Sequence, residues 1–330
     1  MTRRAVVRGL GIYVPDKVLT NKDLERMMDT NDEWIVTRTG IRERHIAQAD
    51  ETTSKMATRA AQEALLDAGL SIEGIDFIIV ATNTADTVFP STACRVQTQL
   101  TSRPIPGVDV QAGCTGWIYG ITMAAAMIEA GAFNRILVVA SDKLSAITDY
   151  QDRTTAVLFG DAAGAIVLEG QESTEAGVLA SFLQADGSGG DLLNMPAGGS
   201  FLPASRQTVD ERLHYLKMNG NEVFRFAVKA MPEAIEKGLQ KAGMTPDQID
   251  LLVPHQANQR IIDAAMRRFA LDPSRVANNI ARYGNTSVAT IPVALWEARQ
   301  EGRLKSGDVV VLVAFGAGLT WGSNVIRWGV

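Results

Sequence analysis

Two cysteines occur in this sequence, Cys94 and Cys114, and only Cys114 sits where a thiol could do chemistry. It lies in GVDVQAGCTGWIYGITMAAAMIEAG, where Val108 and Val110 suggest a strand and Thr115 to Ala130 a nearly uncharged helix. The thiol falls at the junction. A helix N-terminus offers unpaired N–H groups and the positive end of the helix dipole, which favour thiolate and lower a thiol's pKa. Gly113, Gly116 and Gly120 would let the backbone pack closely around such a turn. A buried cysteine could also sit there for packing alone. Cys94, in STACRVQTQL, has no comparable setting and reads as packing.

Of the three histidines, His255 follows an apolar run in LLVPHQANQR, at the strand edge where α/β proteins place ligand sites. His45, in RERHIAQAD, and His214, in ERLHYLK, read as solvated. Asn285, in RYGNTSVAT, is the third candidate, although a turn beside Gly284 would explain it equally well. Cysteine, histidine and asparagine in that order invite comparison with papain-type proteases. GCTGW does not give their signature, and those proteases show no internal duplication of the kind found here.

That duplication positions the candidates. EALLDAGLSIEGIDFIIVATN, from Glu63, lies over KGLQKAGMTPDQIDLLVPHQA, from Lys237, with Asp76 meeting Asp250 at an offset of 174. Each copy reads as a helix closed by Gly69 or Gly243, a linker and an apolar strand. Further on, Gly113-Cys114-Thr115 falls over Gly284-Asn285-Thr286 at an offset of 171, so Asn285 is the repeat mate of Cys114. With pseudo-twofold symmetry the two turns would point at one pocket. The stretch EGQESTEAG, from Glu169 to Gly177, reads as the linker between halves of residues 1–172 and 173–330.

Phe77 to Ala81, Arg135 to Ser141, Leu251 to Pro254 and Val309 to Ala314 are continuous apolar runs, the pattern of strands covered on both faces. Thr52 to Ala68 and Asn219 to Ala242 read as helices between them. The expected fold class is α/β, layered α/β/α/β/α from two related sheets. Residues 187–199, GSGGDLLNMPAGG, read as a glycine-rich loop at an entrance.

Composition bounds the function. The 330 residues, 46% hydrophobic and 21% charged, fit a globular protein, and a net charge of −5 supplies no field to hold a nucleic acid. No cysteine and histidine spacing suits a metal or a disulfide framework. Pro15 and Asp16 interrupt the N-terminus before any apolar signal region forms, which makes the cytoplasm the expected compartment. The uncharged run Val309 to Ile326 is broken by Gly316, Gly318 and Gly322, so it reads as a buried strand followed by a glycine-rich turn rather than a membrane span.

The motifs GLGIYVPDKVLTN, DEWIVTRTGIRERHI, AGCTGW, DRTTAVLFGDAAGA, KMNGNEVFRFAV, VPHQANQRI, RYGNTS and AFGAGLTWGS occur in that order over nearly the whole chain. In these the chain resembles the β-ketoacyl-acyl carrier protein synthase III family, condensing enzymes of the thiolase superfamily that start fatty acid synthesis. The resemblance implies a thiolase-like duplicated fold and assigns roles by position. Cys114 would attack an acyl-CoA thioester and hold the acyl group. The backbone N–H groups of Cys114 and Ala317 would form the oxyanion hole. Ala317 stands where members often carry glycine, but the donor is main chain. His255 and Asn285 would stabilise the enolate formed when a malonyl group loses CO2, beside Phe315.

Trp34, Arg38 and Arg153 would hold the adenine and phosphate end of CoA, and Asn221 and Asn258 the pantetheine arm. Phe89 would reach into the acyl pocket of a second copy, making a homodimer. Arg225, with Arg260, Arg267 and Arg268 on one helical face, would meet the acidic carrier protein. No cofactor is implied, CoA being a substrate and leaving group. The same residues would serve a polyketide, quinolone or olefin pathway, whereas relatives that make 3-hydroxy-3-methylglutaryl-CoA need a glutamate base not found here. A non-catalytic binding module would need none of Cys114, His255 and Asn285. The starter, whether acetyl, branched or longer, stays open.

Overall fold

A computed structural model describes residues 3–172 and 175–329. The apolar runs form the middles of two sheets. In the first, Arg3–Tyr13 (β1), Phe77–Ala81 (β2), Gly107–Val110 (β3), Arg135–Lys143 (β4) and Asp161–Glu172 (β5) are ordered β1-β5-β4-β2-β3. β2 is parallel to β3 and β4, while β5 is antiparallel to β1 and β4. In the second, Gly177–Ala185 (β6), Leu251–Pro254 (β7), Val309–Gly316 (β8) and Thr320–Arg327 (β9) are ordered β6-β9-β8-β7, with only β7 and β8 parallel. Position for position this repeats β1-β5-β4-β2, direction included. A lone parallel bridge between Leu252 and Val276 stands where β3 lies beside β2.

Five helices complete the layers: Thr53–Asp67 (α1), Gly116–Glu129 (α2), Gly220–Ala242 (α3), Gln259–Phe269 (α4) and Thr290–Gln300 (α5). On the outer face of the first sheet, Met56, Ala60 and Ala64 of α1 pack on Ile78, Val80 and Val139. Between the sheets, Trp117, Ile118 and Ile121 of α2 and Leu295 of α5 meet Ile79, Val253 and Leu312 from both sheets. Met231 and Ile235 of α3 and Ile262 of α4 cover Val311 and Val313 on the far side. Strands covered on both faces are apolar at most positions, hence the continuous runs. Each fully buried Ile or Leu contributes about 1.5–3 kcal/mol.

Gly9 and Gly11, in β1, lie under α1. A Cβ there would stand 2.3 Å from the Ala64 carbonyl oxygen and 2.2 Å from the Ala64 nitrogen, so the pair seats a helix flush on the sheet.

Several expectations need correction. Val309 to Ile326 begins with the expected strand and glycine-rich turn, but the turn at 317–319 leads into a second, antiparallel strand. The linker is mostly strand: β5 runs to Glu172, which pairs with Arg3, and β6 begins at Gly177. Ser173 and Thr174, at the expected division of the halves, lie outside the described residues. Residues 187–199 are not all loop, since Gly187–Leu192 forms a 3-10 turn and Leu193–Asn194 pairs with Lys217–Met218. Cys94 is exposed rather than packed. His45 and His214 are half-buried, with His45 Nδ1 2.6 Å from the Pro15 carbonyl oxygen and His214 Nε2 2.9 Å from Thr208 Oγ1.

Candidate active site

Cys114 precedes α2, in the turn after β3. Gly113 has φ +55 and its repeat mate Gly284 φ +63, so the two turns share the left-handed step that glycine allows. Opposite Cys114 runs the end of β8. A Cβ on Gly113 would stand 2.6 Å from both the nitrogen and the oxygen of Ala317, and one on Gly316 would stand 2.4 Å from the Cys114 nitrogen. The two main chains touch, and no other residue among those described accepts the N–H of Cys114, which lies against its own sulfur, or the N–H of Ala317. Two free donors side by side suit an oxyanion.

Asn285 belongs to the second half by sequence, yet its backbone is bonded to the first. Its N–H donates to the Leu158 carbonyl at 2.9 Å, and its own carbonyl accepts from Gly160 N–H at 3.1 Å. Its side-chain oxygen accepts from Ser287 N–H at 2.9 Å, which fixes the amide. The Asn285 NH2 finds no acceptor among the described residues and remains available to a ligand.

His255 follows β7, is 1% exposed, and donates its backbone N–H to the Val313 carbonyl at 2.8 Å. The Phe315 ring meets the imidazole edge-on at 5.4 Å. Burial pushes the imidazole down to about 3, so the ring is neutral at physiological pH. Nδ1 lies 2.6 Å from Thr290 Oγ1, which is also 3.0 Å from the Ser287 carbonyl oxygen. A hydroxyl has one proton. Given to Ser287, it leaves His255 with Nδ1–H and a bare Nε2; given to Nδ1, it puts the ring proton on Nε2.

The thiol departs from the sequence reading. Burial, and secondarily the charge of Asp142, push Cys114 up to about 12, against a hydrogen bond from Ser287 Oγ at 3.5 Å that pulls it down. The resting group is a thiol. Desolvation of the buried thiol is the largest influence on it, although Cys114 lies directly before the N-terminus of α2.

The guanidinium carbons of Arg38 and Arg153 stand 4.9 and 5.4 Å from the Trp34 ring centroid. Arg153 also donates to the Asp29 carbonyl at 2.9 Å. Asn258 caps α4 through Arg260 N–H and donates to the Arg38 carbonyl at 3.0 Å, tying that cluster to the second half. Asn221 is exposed near the start of α3. Among the arginines, Arg225 pairs with Glu222 at 2.6 Å and Arg268 with Glu236 at 3.0 Å, while Arg260 stacks on Phe224 at 4.9 Å. Arg267 is exposed and has no ion pair among the described residues. Phe89 is 83% exposed. No cluster of three or more His, Cys, Asp or Glu among the described residues is placed to hold a metal.

Sequence reasoning missed Ser287, Thr290, Asn83 and Asp142. One signal existed: the repeat lays Ala81–Asn83 over His255–Ala257, so Asn83 ends a strand in the same register as the histidine segment.

A duplicated α/β/α/β/α fold with cysteine, imidazole and amide meeting between its halves is the architecture of the thiolase-type condensing enzymes. Residues 108–187 match the 3-oxoacyl-[acyl-carrier-protein] synthase III family and residues 239–328 its C-terminal family. The β-ketoacyl-[acyl-carrier-protein] synthase III of Symbiobacterium thermophilum is 55% identical over 98% of both chains, and that of Caldanaerobacter subterraneus 51% identical over 98% of both. The crystal structure of the Thermus thermophilus enzyme superposes with a TM-score of 0.91 at 47% identity, covering 98% of this chain and 99% of that one. The chain belongs to the β-ketoacyl-acyl carrier protein synthase III family and is an acyltransferase. None of the helices among the described residues is long and apolar enough to cross a membrane.

Proposed function

We propose that this condensing acyltransferase joins an acyl-CoA starter to malonyl-acyl carrier protein through a covalent thioester on Cys114. In the first half-reaction the Cys114 sulfur bonds the acyl carbon, the carbon–sulfur bond to CoA breaks, and the thiol proton ends on CoA. The oxyanion that forms lies against the N–H groups of Cys114 and Ala317. In the second, the malonyl carboxylate leaves as CO2, and the enolate oxygen is held by the Asn285 NH2 and by Nε2–H of His255, with Thr290 giving its proton to Nδ1. The enolate carbon attacks the acyl carbonyl. Cys114 departs as thiolate and regains a proton from solvent. A neutral His255 suits this task, because it donates without carrying a charge that must be desolvated.

Trp34, Arg38 and Arg153 are our candidates for the nucleotide end of CoA. Stacking of adenine on Trp34 displaces one of the guanidiniums now facing it. Asn221 and the remaining amide hydrogen of Asn258 face pantetheine, and Phe315 packs the decarboxylation site. Arg267, with Arg225, Arg260 and Arg268, receives the carrier protein. The exposed Val88 and Phe89, 91% and 83% accessible, support a homodimer in which Phe89 enters the partner's acyl pocket. The halves divide at 172/173, no cofactor takes part, and the enzyme works in the cytoplasm.

The observation that carries the reading is the meeting of two acceptor-less N–H groups at the cysteine with the free Asn285 amide. Intact-mass spectrometry after incubation with acyl-CoAs tests it. We expect an acyl adduct on the parent, absent from Cys114→Ala and discharged by malonyl-acyl carrier protein. An adduct that persists in Cys114→Ala would overturn the assignment.

A further inference from the structure

Ser287 touches Cys114 and Asn285 and is linked to His255 through Thr290. Its N–H holds the Asn285 side-chain oxygen, its carbonyl oxygen lies 3.0 Å from the Thr290 hydroxyl that faces His255, and its own hydroxyl is 3.5 Å from Cys114 Sγ. The residue is buried and adopts φ +53, a left-handed backbone that a non-glycine residue takes at a cost.

The direction of its hydroxyl is settled by its other neighbour. Asn83 Nδ2 lies 3.2 Å from Ser287 Oγ, 2.9 Å from Asp142 Oδ2 and 3.3 Å from the Gly113 carbonyl oxygen. A carboxylate and a carbonyl can only accept, so this face of the Asn83 side chain is its NH2. Asp142 is buried and also receives Asn83 N–H at 2.7 Å and the Thr82 and Thr84 hydroxyls, each at 3.1 Å, so it anchors Asn83 at two points. An amide NH2 cannot accept a hydrogen bond. The Ser287 proton therefore turns to the sulfur.

We infer that Ser287 is a further catalytic residue, whose hydroxyl, aimed by Asn83 and Asp142 as positioning residues, donates a hydrogen bond to the sulfur of Cys114 and stabilises its thiolate. This rests on the reading of Cys114 as nucleophile. The proton stays on oxygen throughout. The arrangement offsets two features that oppose ionisation, the burial of the thiol and the nearby Asp142 charge, because the same carboxylate that repels a thiolate also directs a donor at it. The bond serves twice: when sulfur attacks the acyl-CoA, and when it leaves the β-ketoacyl product.

The test is the rate at which iodoacetamide alkylates Cys114 in the ligand-free enzyme between about pH 6 and 9, read by peptide mass spectrometry with the exposed Cys94 as internal standard. Below the thiol's titration the parent rate rises about tenfold per pH unit. Ser287→Ala is expected to run about tenfold slower at every pH, the size of one lost charge-assisted hydrogen bond, with Cys94 unchanged. Asn83→Ala is expected to be about threefold slower alone and to lose most of that effect in the Ser287→Ala background, where only its bond to the Gly113 carbonyl still reaches the cysteine turn.

A Ser287→Ala rate within twofold of the parent or faster, or an Asn83→Ala effect undiminished in the double variant, would overturn the inference. If Ser287→Ala fails to fold, an unchanged rate in folded Asn83→Ala overturns it and a slower one supports it. Acyl adducts on Cys114→Ala would instead sink the nucleophile assignment, which alkylation does not probe.

Discussion

Gly316→Ala puts the oxyanion geometry at risk without touching a reacting atom. A Cβ at residue 316 would stand 2.4 Å from the Cys114 nitrogen and 3.1 Å from its Cα and Cβ. Ordinary contact begins at 3.4 Å, so the main chains must part by roughly 1 Å. Both neighbours are backbone or its first side-chain atom, and no flexible group can yield in their place. That movement carries Cys114 N–H away from Ala317 N–H. Misplacement by about 1 Å costs on the order of 100-fold in a positioned reaction, and loss of one oxyanion donor 100- to 1,000-fold. Single-turnover acylation by acyl-CoA, followed by quenched intact-mass spectrometry, should therefore slow at least 100-fold. Acyl-CoA affinity, measured with an excess of enzyme, should change less than threefold. A variant that acylates within threefold of the parent would refute the reasoning, because it would mean that the contact of β8 with the cysteine turn does not set the donor geometry.

Thr290→Val keeps the volume and removes the hydroxyl that selects the ring proton of His255; discharge of preformed acyl-enzyme by malonyl-acyl carrier protein should fall about 10- to 100-fold, while acylation of Cys114 changes less. His255 titrates near 3 in the fold, against the ordinary imidazole value of 6.5 once the chain unfolds, so the unfolded state binds the extra proton between those limits and stability falls as pH falls. Urea unfolding should show this as a loss of up to about 1.4 kcal/mol per pH unit below about 6.5, absent from His255→Gln. Trp34→Ala removes the ring that Arg38 and Arg153 face and should raise KM for acyl-CoA about 5- to 10-fold, with the maximal acylation rate unchanged.

The parts of this fold that could be read in advance are those whose physics is local. Phe77–Ala81 and Leu251–Pro254 are apolar at every position because both faces are covered, and at 5 and 4 residues the runs are strand-length rather than helix-length. The α1 and α3 boundaries follow from a Thr52 cap and from Gly243 in the left-handed region. β5 escaped because DAAGAIVLEGQE mixes small and charged residues, and its length is set by pairing with β1 across the sheet. At the site, Cys114, His255 and Asn285 were legible from strand ends, glycine turns and the repeat. Ser287 and Asn83 were not. Their meaning lies in a hydrogen bond between residues 204 positions apart, which leaves no local pattern. The thiol's raised titration has the same origin: helix position is written in the sequence, whereas desolvation depends on everything packed around it.

Because Asn285 is bonded through its backbone to Leu158 and Gly160, the pocket closes only when chain made late docks on chain made early. At about 5–20 residues per second a ribosome takes roughly 10–30 s to travel from Cys114 to Asn285. During that interval the proposed nucleophile exists without the Asn285 amide and the Ser287 hydroxyl, and for most of it without the His255 imidazole. A nascent first half can therefore be complete in sheet and helix and still chemically silent, so that acylation reports on the last step of assembly.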